Sequence, residues 1–171
     1  RSSIFNHGED AGRYLIISMT IHLSHDTLTP PFYTSLQNYV EEHQITDFSP
    51  KSIRKMVTEI RWSKLPKPEE MASSGSFFKN VYLDDAEADR LRGMNVPVWE
   101  GNKVPSGWLI DHAGLKGMVF HGMRVSEKAA LILINESAQS YAHLKQAREE
   151  IVSIIEKKYG LTLQQEPVEL E

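Results

Sequence analysis

From about Ser140 to Tyr159 the residues Leu144, Ala147, Ile151, Ile154 and Ile155 recur at helical spacing, and Gly160 comes next as a closing residue. This is the longest helix that the sequence predicts. Its single apolar stripe has to be covered by another layer of structure. Both kinds of cover are available. Leu15, Ile17, Met19, Ile21 and Leu23 alternate with Tyr14, Ile16, Ser18, Thr20 and His22, so 14–23 reads as a half-buried strand ended by Thr29, Pro30 and Pro31. A short helix is expected over Thr34–Glu42. Ser49 as N-cap and Pro50 at the first helical position start another, whose apolar face is Ile53, Met56, Val57 and Ile60. KLPKP at 64–68 and EEMASSG at 69–75 read as a proline- and serine-rich loop and as a domain boundary. Beyond it the patterns give a helix over Asp84–Arg92, a loop over Val96–Asn102, and a helix over Ser106–Ala113 closed by Gly114. Strands are expected over Met118–Val125, Ala130–Ile134 and Leu161–Leu163. Helices and strands mix without regular alternation, which points to an α+β fold rather than a doubly wound sheet.

Several function classes fall away on composition. The 171 residues contain no cysteine, so disulfides, thiolate metal sites and cysteine nucleophiles are excluded, as suits a reducing compartment. The net charge is −4 and no long basic run occurs, so no nucleic-acid partner is expected. No apolar run approaches the length of a membrane span, so no membrane partner is expected either. His22 and His25 have HxxH spacing, but they stand at a strand end with no second ligand cluster nearby, and ordinary surface histidines are the plainer reading. SSGSFF is not a GxSxG elbow, and the glycines form neither GxGxxG nor a P-loop. The stretch GSFFKN at 75–80 remains, with a serine and a lysine set around two phenylalanines. A surface turn entering a strand explains it as readily as a site does.

Read together, the segments carry more. The chain opens on RSSIF and continues with IRWSKLPKP at 60–68, GSFFKN at 75–80, KVPSGWLIDHAGLKG at 103–117, ALILIN at 130–135 and YGLTLQQEP at 159–167. In that order and spacing they resemble the C-terminal half of the type I UDP-N-acetylenolpyruvoylglucosamine reductases, also called UDP-N-acetylmuramate dehydrogenases, over nearly the whole chain. The resemblance implies a bacterial cytoplasmic flavoprotein of peptidoglycan precursor synthesis. Its substrate is UDP-N-acetylglucosamine enolpyruvate, its cofactor FAD, and its co-substrate NADPH. It implies that residues 1–63 are the end of an FAD-binding domain and 64–171 a small mixed-sheet and helix substrate-binding domain. The rest of the flavin-binding part is then expected upstream of Arg1, where the family has a tyrosine.

The resemblance also assigns roles. Ser76 matches the proton donor to the enolate left by hydride addition. A hydroxyl is a weak acid that suffices only against a strongly basic carbanionic centre held in line. Arg1 and Glu166 match the pair at the substrate carboxylate, where arginine can fork onto the acid and stabilise the doubly anionic intermediate. Glu166 rests on register in LQQEPVELE, and Glu169 is the competing residue. Tyr33 and Lys64 match the diphosphate contacts, Asn80 a polar substrate contact, and Trp99 an aromatic against the nucleotide. Gly75, with Arg1, falls on the cofactor side. Phe77 and Phe78 are expected to help exclude water from the reacting centre. Two other readings stand beside this one. The chain could be a UDP-sugar-binding fragment that catalyses nothing without its upstream part, or an α+β interaction domain outside the family.

Overall fold

The structure, a computed structural model, describes residues 9, 13–23, 26–65, 67 and 69–169. Arg1 and His25 lie outside the described residues.

Two helices come first. α1 spans Thr34–Glu42 and α2 spans Pro50–Lys64. Ser49 caps α2 as expected, its Oγ accepting the Ser52 amide at 3.3 Å. The two helices pack on each other and bury Leu36, Val40, Ile53, Met56 and Ile60, with Phe32 and Phe48 edge-on at 5.3 Å beside them.

The second core is larger. β1 (Ala72–Ser76) precedes β2 (Val81–Tyr82), α3 (Asp85–Gly93), β3 (Lys103–Val104) and α4 (Ser106–His112). Then come β4 (Val119–Phe120), β5 (Met123–Val125), β6 (Ile132–Asn135) and α5 (Tyr141–Tyr159). β1, β6, β5 and β4 lie side by side in that order as one antiparallel sheet, and β2 and β3 form a separate two-stranded ribbon. α5 supplies Ala147, Ile151, Ile155 and Tyr159 to this core and packs on α4 and on the β4–β5 hairpin. The stripe that needed a partner layer has both a helix and a sheet. The fold is α+β, as the sequence implies. No helix among the described residues is long and apolar enough to cross a membrane.

Four local expectations are corrected. Residues 14–23 alternate as a strand should, yet form none: Leu15 and Ile17 are 86% and 87% exposed, and no described strand pairs with the segment. Alternation supplies an apolar face but not the neighbour that a strand needs. Residues 118–125 are a hairpin rather than one strand. His121 and Gly122 take left-handed φ of 49° and 82° between β4 and β5, the backbone of a two-residue hairpin turn. Residues 161–163 form no strand, although Leu161 and Leu163 are buried in the core. Conversely, Ala72–Ser76 is a strand inside the segment read as loop. Its small polar residues carry little strand preference, and pairing with β6 imposes the conformation.

Candidate active site

The site is built where β1 ends. On β1, Ser73 faces Ile134 of β6 and Ser76 faces Ile132, so three steps on one strand match two on the other. The extra residue is a β-bulge, and Gly75 sits in it at φ +75°. Glycine reaches that angle without the Cβ clash that other residues meet. The bulge re-aims the three residues after it. Ser76 stays exposed, while Phe77 and Phe78 turn into the core at 3% and 1% exposure, edge-on at 5.1 Å. The two phenylalanines therefore underpin the strand end from within the core. They lie beneath the residues that line the cleft at Ser76 rather than among them.

The C-terminal segment closes onto this strand end. Phe78 and Gln165 form an antiparallel bridge, the Lys79 amide donates to the Gln164 carbonyl at 2.8 Å, and the Glu166 amide donates to the Phe77 carbonyl at 2.7 Å. This short zipper brings together two residues ninety positions apart in sequence, Ser76 and Glu166. Both line an open cleft of about 290 Å³ whose remaining walls are Ser74 and Pro167. Glu166 is half-buried there.

Glu169 has a different setting. Its Oε1 accepts from Arg148 Nη1, and from Gln165 Nε2 at 2.8 Å. The Tyr141 hydroxyl, then Arg148 and Gln165, hold the Glu169 carboxyl well below its usual range, at about 2. Its hydrogen bond to the same carboxylate raises the Tyr141 hydroxyl's pKa. Of the two glutamates left open by the sequence, Glu166 lies in the cleft with Ser76, and Glu169 lies in an ionic cluster against α5.

The remaining assignments fall at two other places. Lys64, the last residue of α2, donates from Nζ to Ser35 Oγ at 3.3 Å, which brings it to the N-terminal end of α1. Tyr33 is the exposed N-cap of that helix and makes no side-chain cap. Tyr33 and the Lys64 amine therefore both lie at the N-terminal end of α1, where amides lack intrahelical partners and the local field favours anions. Asn80 has a structural engagement: its Oδ1 accepts the Ser106 amide at 3.1 Å, while Ser106 Oγ donates to the Lys79 carbonyl at 2.6 Å. Ser106 opens α4 and is fully buried. The two segments of the sequence most distinctive in combination, GSFFKN and SGWLIDHAGLKG, are thus bolted together. Trp99 is exposed in the turn before β3, with Lys103 Nζ 5.0 Å from its ring centre. His22 is exposed, and among the described residues no three or more His, Asp or Glu side chains cluster as metal ligands.

Arg148 and Tyr141 lie outside the motifs of the sequence, and Gln165 lies inside YGLTLQQEP without a role assigned to it. Tyr141 and Arg148 are seven residues apart, two turns on one face of a helix, and that spacing is the pattern by which they could have been paired.

The small α+β domain that carries this cleft has relatives among known proteins. The family model described as the UDP-N-acetylenolpyruvoylglucosamine reductase C-terminal domain matches residues 67–170. The UDP-N-acetylenolpyruvoylglucosamine reductase of Alcanivorax borkumensis is 31% identical over 93% of this chain and 47% of its own length. That of Chromobacterium violaceum is 30% identical over 98% of this chain and 51% of its own length, and that of Pseudomonas aeruginosa 30% identical over 98% and 50%. The chain belongs to the UDP-N-acetylenolpyruvoylglucosamine reductase family. It spans about half the length of these relatives.

Proposed function

We propose that this chain supplies the substrate-protonating half of an enzyme that reduces UDP-N-acetylglucosamine enolpyruvate to UDP-N-acetylmuramate in bacterial peptidoglycan precursor synthesis, in the cytoplasm. The observation that carries the reading is the cleft shared by Ser76 and Glu166. The cleft is walled by Ser74, Ser76, Glu166 and Pro167, none of them a phosphate cradle, which supports a reading in which FAD is held mainly by an upstream part of the protein. An exposed hydroxyl at the rim of an open cleft fits instead the wall against which a ring system and a substrate double bond meet. When bound by an upstream part of the protein, FAD reduced by NADPH supplies the hydride.

The chain's own residues do the rest. Ser76 Oγ delivers a proton to the carbon beside the substrate carboxylate. The serine is held in line by the bulge at Gly75 on one side and the buried Phe77 on the other. Glu166, locked at its amide to Phe77, stands where charge develops on the enolate. Arg1 is assigned to the same carboxylate. The basic end of α1, with Tyr33 and Lys64, holds the diphosphate. The amide nitrogen of Asn80 and the ring of Trp99 serve the sugar and nucleotide ends.

Exchange of one atom at Glu166 tests this reading in the enzyme with its flavin-binding part present. Glu166→Gln keeps shape and removes ionisation. It is expected to lower kcat by on the order of hundredfold or more while KM changes little, the pattern of an interaction made mainly in the transition state. Glu169→Gln is expected to cost far less. The opposite ranking moves the catalytic role to Glu169, and silence at both removes the glutamate from the reaction.

A further inference from the structure

We infer that Arg148 is a positioning residue for the cleft: from α5 it clasps the C-terminal segment on both sides of Glu166 and so fixes that carboxylate opposite Ser76. The inference rests on the proposed catalytic role of Glu166 for its effect on turnover, but not for its geometry.

Arg148 Nη1 donates to Gln165 Oε1 and to Glu169 Oε1. Gln165 Nε2 in turn donates to Glu169 Oε1 at 2.8 Å and to the Pro167 carbonyl at 3.0 Å. Residues on either side of Glu166 are therefore tied to each other and to one guanidinium. The Arg148 side chain is half-buried, at 20% exposure. The backbone zipper to β1 ends at Glu166, because the next residue is a proline and has no amide to donate. Past that point the segment is held by side chains, and Arg148 is their hub. The anchor also has a rigid base, since Ala147 and Ile151 on either side of Arg148 along α5 are fully buried. The Glu169 carboxyl is held at about 2, so the clasp is charged throughout the neutral range. A fork of donors from a packed helix is what holds a short exposed tail in one register.

The test uses two readouts in the full protein. Hydrogen exchange at the Glu166 amide reads the geometry directly. Arg148→Gln is expected to raise that rate about tenfold or more through local opening, with the Ile151 and Ile155 amides unchanged. Stopped-flow kinetics read the consequence. Arg148→Gln is expected to slow oxidation of the reduced enzyme by substrate roughly ten- to hundredfold, with reduction by NADPH unchanged, as displacement of a catalytic group by an ångström can do. Arg148→Lys, which keeps the charge and one donor to Glu169, should restore most of both. In a Glu166→Gln background, Arg148→Gln should add little further slowing.

An unchanged Glu166 exchange rate in Arg148→Gln overturns the clasp whatever the kinetics show. Faster exchange at Ile151 as well overturns it in favour of a general packing role. Faster exchange at Glu166 alone, with substrate turnover intact, keeps the clasp and instead defeats the catalytic reading of Glu166.

Discussion

Gly75 illustrates how one residue sets the site. Its φ of +75° is unfavourable for any residue with a Cβ, yet nothing lies within 4 Å of where that Cβ would stand. Gly75→Ala therefore adds backbone strain without a clash. The expected cost is about 1–2 kcal/mol of folding stability, read by urea unfolding. Relief of that strain would re-aim Ser76, so turnover should fall further than stability alone explains. The sequence shows a glycine before a serine but not the bulge. The extra residue exists only relative to β6, nearly sixty positions away. Glu169 makes a second prediction. Its carboxyl is held at about 2 against an ordinary 4.5, first by the Tyr141 hydroxyl, then by Arg148 and Gln165. A depressed carboxyl stabilises the fold above its unfolded pKa, and that contribution is lost as pH falls. The C-terminal segment should therefore loosen between about pH 5 and pH 2. Glu169→Gln should flatten that part of the stability profile. A profile unchanged by the substitution would mean that the carboxylate gains nothing from its partners.

At the scale of elements, the helices were legible and the short strands were not. α2 and α5 carry a cap or a closing glycine and a stripe of apolar residues, all local signals. β1, β2 and β3 are short, and two of them have only two residues, too few for any periodicity. Their existence depends on partners distant in sequence. The β4–β5 hairpin lies between these cases: FHGM contains its turn, but a continuous apolar reading of 118–125 hides it. The turn requires glycine at position 122. A Cβ there would stand 2.6 Å from the Ala138 amide nitrogen, at a φ of +82°. Both chain and neighbour are backbone, so neither can yield cheaply. Gly122→Ala is expected to cost on the order of 2–4 kcal/mol, appearing as a clear drop in thermal midpoint. A drop smaller than that of Gly75→Ala would show that the hairpin can shift as a unit.

At the scale of the molecule, the buried apolar clusters among the described residues are two, one on α1 and α2 and one around α5. The proposed site needs both, since Tyr33 and Lys64 belong to the first and Ser76 and Glu166 to the second. The segment 14–23 adds an exposed apolar row outside either cluster. The residues that bind FAD are proposed to lie mainly outside this chain, which alone should be close to colourless after dialysis. A stoichiometric flavin absorbance would contradict that. The family was legible because segments far apart in sequence keep a common order. The geometry was not, because the meeting of Ser76 with Glu166 depends on a backbone zipper between residues 77–79 and 164–166. A proton given by Ser76 is tested by measuring the two half-reactions of Ser76→Ala separately. Reduction of the enzyme by NADPH should remain near the unsubstituted rate. Oxidation of the reduced enzyme by the enolpyruvyl sugar should slow by roughly 10²–10⁴-fold or more. An unaffected second half-reaction, or equal slowing of both, would contradict a proton donor at Ser76.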